Sequence, residues 1–196
     1  SDATIKNCTF IGNSASFGGG IWSWGPPAPA IFNCVFSRNE AVHPNDGAGG
    51  GIQNWGGSPT VINCTFNENT AESVGGALGE GNGSRTIISS CIFWDNRARD
   101  RSDANGQIGG GSTVVTYSCV QGGRSGEGNI DMDPHFADPS NGDFHLKSQA
   151  GRWDPPSGNW TQDDVTSPCI DAGDPMSPIG LEPFPSGGYV NMGAYG

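Results

Sequence analysis

The chain has 196 residues, 34% of them hydrophobic, with 33 glycines and 14 prolines, which is long enough to bury a core but ill suited to packed helices. Twenty acidic against nine basic residues leave a net charge of −11, which argues against nucleic acid and anionic membranes as partners. No apolar run approaches the length needed to cross a bilayer, and no stretch carries an apolar stripe at helical spacing.

The first unit runs from Ile5 through Asn7-Cys8-Thr9-Phe10, then Asn13 and Ala15, to Gly18-Gly19-Gly20-Ile21. The second repeats it as Ile31, Asn33-Cys34-Val35-Phe36, Asn39, Ala41 and Gly49-Gly50-Gly51-Ile52, and the third as Val61, Asn63-Cys64-Thr65-Phe66, Asn69, Ala71 and Gly75-Gly76-Ala77-Leu78. The fourth has Ile88, Ser90-Cys91-Ile92-Phe93, Asn96, Ala98 and a weaker Gly109-Gly110-Gly111-Ser112, and a degraded fifth opens with Ser118-Cys119-Val120-Gln121. The cysteines recur every 26 to 30 residues, a period that marks stacked repeats.

Strand parity gives each unit its shape. Cys8 and Phe10 share one face, whereas Ile5 has the opposite parity, so all three point inward only if the chain bends at Asn7. Asn tolerates the left-handed backbone such a bend needs. Each unit then reads as strand, Asn corner, strand, second Asn turn, loop and glycine-led strand. Units that cannot bury their own apolar face stack into a solenoid. The fold expected is all-β, a right-handed parallel β-helix of about five coils over residues 1–121. Residues 122–196 form an irregular C-terminal capping segment. Stacked Phe and Ile fill the interior, and stacked Asn side chains form amide ladders.

On this alignment Cys8, Cys34, Cys64, Cys91 and Cys119 form one inward column of small apolar residues rather than a disulfide or metal set. Cys169 lies outside the column, and its pairing stays open. The sequons at Asn7, Asn63, Asn82 and Asn159 read as incidental. Asp131, Asp133, Asp138 and Asp143 are the best cation candidates, with calcium as the ion their oxygens would suit. Asp also favours turns, and no cofactor is expected.

The FxxN phrases (Phe10 to Asn13, Phe36 to Asn39, Phe66 to Asn69, Phe93 to Asn96) alternate with GGA/G-I/L phrases at Gly19, Gly50 and Gly75. Together they resemble the repeats of bacterial polymorphic outer-membrane proteins, which implies a surface-exposed right-handed β-helix. Asp131–Phe136, Asp143–Leu146, Ser167–Asp174 and Asn191–Gly196 resemble a C-terminal segment of secreted planctomycete-type β-helix proteins. That resemblance implies an extracellular or cell-surface address.

Two insertions fall at one point of their coils. Val42 to Ala48 carries His43 and Asp46; residues 99–107 carry Arg99, Asp100, Arg101 and Asp103. Were they to meet, His43 would serve as a base and Arg99 or Arg101 would neutralise an acidic sugar, although exposed loops carry such residues anyway. The carbohydrate-active enzymes that share this fold make that an analogy only. Trp24 and Trp55 occupy one register on neighbouring strands; parity turns Trp22 outward and puts the pair at the following bend, where the rings either cover the glycine-rich corner or form a row suited to sugar rings or partner proteins. The chain begins at Ser1 inside a repeat, as a piece of something longer would. Its open first coil invites end-to-end stacking of neighbouring copies into a filament. The leading expectation is therefore a non-catalytic extracellular structural or adhesive module binding glycans or cell-surface proteins. The alternative is a polysaccharide-active lyase or hydrolase, or a carbohydrate-binding module.

Overall fold

The computed structural model describes residues 3–99, 101–179 and 187–195. Ser1, Asp100 and Gly196, named above, lie outside them. The first coil comprises β1 (Thr4–Lys6), β2 (Thr9–Ile11), β3 (Ser14–Ala15) and β4 (Ile21–Trp24). The second comprises β5 (Ala30–Phe32), β6 (Val35–Ser37), β7 (Glu40–Ala41) and β8 (Ile52–Trp55), and the third β9 (Thr60–Ile62), β10 (Thr65–Asn67), β11 (Thr70–Ala71) and β12 (Leu78–Gly81). The fourth has β13 (Ile87–Ser89), β14 (Ile92–Trp94), β15 (Arg97–Ala98), the short helix α1 (Ala104–Gln107) and β16 (Ile108–Gly109). A fifth coil is cut short after β17 (Val114–Thr116) and β18 (Cys119–Val120). All pairings between coils are parallel, in the orders β1-β5-β9-β13-β17, β2-β6-β10-β14-β18, β3-β7-β11-β15 and β4-β8-β12-β16. The fold is a parallel β-solenoid of four complete coils and a partial fifth.

The corner at Asn7 is left-handed, with φ of 53°, and it repeats at Asn33, Asn63, Ser90 and Tyr117. Phe10, Phe36, Phe66 and Phe93 stack inward with ring centroids 4.7 Å apart and planes within 5° of parallel. Ile31, Val61 and Ile88 are buried with them. Each buried ring contributes roughly 1.5–3 kcal/mol relative to exposure. At Gly49 (φ +64°) a Cβ would lie 2.1 Å from the Ile52 carbonyl oxygen, so only glycine fits the turn into β8.

The amide ladder runs Asn13 to Asn39 to Asn69 to Asn96, each Nδ2 donating to the next Oδ1 at 2.8–2.9 Å. It ends on Gln107 Oε1, which accepts from Asn96 Nδ2 at 2.7 Å. The left-handed residues of this turn are not the ladder asparagines but those just before them: Gly12, Arg38, Glu68 and Asp95.

Cys119 is corrected. Its strand pairs Cys119 with Ile92 and Val120 with Phe93, so Ser118, not Cys119, continues the inward column. Backbone Cys34 and Cys64 donate to the Sγ of Cys64 and Cys91 at 3.5 and 3.4 Å. Cys91 donates to Ser118 Oγ at 3.0 Å, and Ser118 to Asn129 Oδ1 at 3.0 Å. Register favours burying Val115 and Val120 over aligning like with like. Cys119 therefore points outward.

Residues 127–131 close the fifth coil: Tyr117 N donates to Glu127 O, Ile130 N to Ser118 O and Val120 N to Ile130 O. The Tyr117 hydroxyl is pushed up to about 12 by its hydrogen bond to Glu127. Beyond them come the hairpin β19 (Phe136–Asp138) and β20 (Asp143–Leu146), and the hairpin β21 (Arg152–Asp154) and β22 (Asn159–Thr161). Phe136, Phe144, Leu146, Cys169 and Met192 form a second core with Val35, Ile92 and Cys119 on the outer face of the second sheet. Gly193 N donates to Ser90 O and Ala194 N to Thr65 Oγ1, anchoring the chain across the third and fourth coils.

Candidate functional site: an aromatic run on the first two coils

Alternation along β4 turns Ile21 and Ser23 inward and Trp22 and Trp24 out of one face. Trp22 is 54% exposed and Trp24 70%. Trp24 stands in register with Trp55 on β8, and Trp55 with Gly81 on β12. Gly81 leaves the space for that ring, since a Cβ there would lie 2.4 Å from two Trp55 ring carbons. Gln53, opposite Trp22, also faces outward but is buried.

The rings form a continuous run. His43 stacks on Phe17 at 5.0 Å, Phe17 meets Trp22 at 5.9 Å, Trp22 meets Trp24 edge-on at 5.7 Å, and Trp24 meets Trp55 at 6.5 Å. Phe17 and His43 are the members that the Trp register alone does not reveal. Their joining continues the register of β3 and β7, since Val42 N donates to Ala15 O and His43 N to Ser16 O, which sets His43 over Phe17. Such a surface offers flat apolar faces to a planar or ring-shaped ligand.

The two insertions do meet: Arg99 Nη2 donates to Asn45 O at 3.2 Å and its Nε to Glu72 O. The structure nevertheless gives His43, Arg99 and Arg101 separate partners. His43 faces Phe17, with its Nδ1 buried and unbonded. Arg99 is held by the two carbonyls, and Arg101 pairs with Asp103 at 3.0 Å. Asp103 caps α1 by accepting from Gly106 N. Arg101, then that backbone donor, holds its carboxyl below the ordinary carboxylate range.

The four acidic candidates are each turned to a local donor. Asp131 accepts from Gly122 N, Asp133 from His135 N, Asp138 from Ser140 Oγ and the Asn141 amide, and Asp143 from His145. Among the described residues no three acidic, histidine or cysteine side chains converge as a metal site would require. Asp143 instead belongs to a polar cluster not anticipated from sequence. His145 Nδ1 lies 2.5 Å from Asp143 Oδ1, Arg152 bridges Asp143 and Asp163, and Tyr195 stacks on His145 at 4.3 Å. Burial, then the Asp143 charge, pushes the Tyr195 hydroxyl up. The only sequence trace of this cluster is the alternation of Asp143 and His145 along one strand.

A family model described as right handed beta helix region matches residues 1–126. A second, described as disaggregatase related, matches residues 116–173. No curated protein and no solved structure matches the chain.

Proposed function

We propose, on the footing that the chain belongs to the right handed beta helix family, that it is a non-catalytic adhesive module of a bacterial cell surface or its surroundings which holds glycans on the run of rings from His43 to Trp55. The observation that carries this reading is the alignment of three tryptophans on one outward face, each 42–70% exposed. Exposed aromatic patches of this kind mark binding sites, and flat rings stack on the apolar faces of sugars. The charge of −11 disfavours acidic polysaccharides, so a neutral glycan is the expected ligand. The FxxN and GGA-type phrases, which resemble bacterial polymorphic outer-membrane-protein repeats, support the surface setting.

Affinity electrophoresis in gels containing neutral or acidic polysaccharides tests the reading. We expect retardation by at least one neutral polysaccharide, reduced roughly tenfold or more in apparent affinity by Trp24→Ala, the loss of one stacking ring. Unretarded migration in every neutral gel, or retardation indifferent to Trp24→Ala, would sink it.

The meeting of the two insertions supports a second reading, a polysaccharide-cleaving edge. It predicts new reducing or unsaturated ends on incubation with polysaccharides, abolished by His43→Ala. The disaggregatase-related description belongs to the stretch that closes the coil stack, away from the aromatic run. It supports a role near aggregated material without naming a reaction.

A further inference from the structure

We propose that Cys119 and Cys169 form a disulfide that ties the C-terminal segment to the fifth coil. All six cysteines are thiols in the structure, but they fall into two chemical settings. Cys34, Cys64 and Cys91 lie in the inward column, and each Sγ donates to the carbonyl two residues earlier in its own coil at 3.1–3.2 Å. Like residues of stacked coils project in parallel, and at Cys64 and Cys91 the sulfur also accepts the backbone N–H of the cysteine in the coil before.

Cys119 breaks this pattern because of the one-residue shift at Ser118. It leaves the outer face of β18 and enters the second core, where Cys169 is fully buried. The two residues therefore arrive from opposite sides of one interface, Cys119 from the coil stack and Cys169 from the segment laid over it. Cys169 is held by Ser167 Oγ on its N–H and by Met192 N on its carbonyl. The Cys119 Sγ donates to Met132 O at 3.1 Å. A hydrogen bond between the two thiols, followed by burial, pushes the Cys169 thiol far above its ordinary value.

Oxidation is by thiol–disulfide exchange with a small-molecule disulfide such as oxidised glutathione. One cysteine thiolate attacks a glutathione sulfur, forming a mixed disulfide and releasing one glutathione. The second cysteine then attacks the bound protein sulfur, closing the bond and releasing the other glutathione, and the released thiolates take up the two protons. The Cys169 thiol, pushed up by its surroundings, holds little thiolate, so the bond closes during folding, before the segment docks. In the docked state exchange is slow.

The test refolds the full chain in a glutathione buffer, traps free thiols with maleimide, and maps the peptides by mass. The expected product is about 2 Da lighter before trapping and carries one link, between the peptides of Cys119 and Cys169. Its Tm exceeds that of the reduced chain by on the order of 10 °C. Cys169→Ser and Cys119→Val remove both link and shift; Val is the residue that the second coil carries at the corresponding position. If Cys169→Ser fails to fold, Cys119→Val alone decides. Six free thiols after oxidising refolding overturn the proposal, as does a link to any other cysteine or a link that leaves Tm unchanged.

Discussion

A sulfur in the inward column has two backbone neighbours. It donates to a carbonyl of its own coil and, at Cys64 and Cys91, accepts the N–H of the coil before. That arrangement suits the neutral thiol. The hydrogen bond from Cys64, followed by burial, pushes the Cys34 thiol up, and burial foremost does the same for Cys64. A thiol whose value rises on folding holds its proton more tightly in the folded state. Its contribution is intact below the unfolded value of 9.0 and declines as pH rises above it. Raising the pH from 8 to 10 therefore lowers Tm, and by about 3 °C less in Cys64→Ser, whose side chain does not titrate. An equal fall in both proteins removes the argument. Cys8, the exposed member, reacts with maleimide in the native protein, whereas Cys34, Cys64 and Cys91 do not. At this scale the Phe column was legible because phenylalanine recurs at every strand position that needs it. Cys119 misled because chemical likeness to Cys91 masked the better register through Val115 and Val120.

The element that makes each coil turn is a single left-handed residue between two short strands. Asn33 has φ of 50° and an exposed side chain, which makes it a clean site for testing the corner. A Cβ in this conformation costs roughly 1–2 kcal/mol, and asparagine evades part of that by local hydrogen bonding. Asn33→Ala should therefore cost about 1 kcal/mol in urea denaturation, whereas Asn33→Gly should stay within a few tenths of wild type. Equal losses for both would mean that the asparagine side chain, not the backbone, holds the corner. The parity of Ile5, Cys8 and Phe10 was enough to locate this bend. At the second turn the positive φ falls on Arg38, Glu68 and Asp95, residues that do not belong to the types that advertise it. The asparagines beside them are there for the ladder, and Gln107 replaces asparagine at its end because α1 brings that longer amide under Asn96.

The whole molecule is asymmetric along its axis. Ile5, Phe10 and Ile21 in the first coil are only partly buried, and their strands have partners on one side alone. The fifth coil is sealed by residues 127–131. Head-to-tail stacking needs the fifth coil open, so copies of this chain are not expected to join into rods many coils long. Negative-stain images at micromolar concentration check this, and rods many coils long would contradict it. The C-terminal segment adds a cross-link on the flank, and closing a loop of about 50 residues stabilises the fold by roughly 4 kcal/mol. By itself the sequence determined the coil: its period, its corners, its interior Phe and Asn columns and the shared register of Trp24 and Trp55. These depend on neighbours within a unit and on repetition, and repetition writes each contact several times. Only the tertiary structure decided what meets outside the coils, namely Arg99 with Asn45, Tyr195 with His145, and Cys119 with Cys169 in the second core. Each of those contacts is made once, between segments that share no period, and depends on how loops and the C-terminal segment fill the surface that the repeat leaves bare.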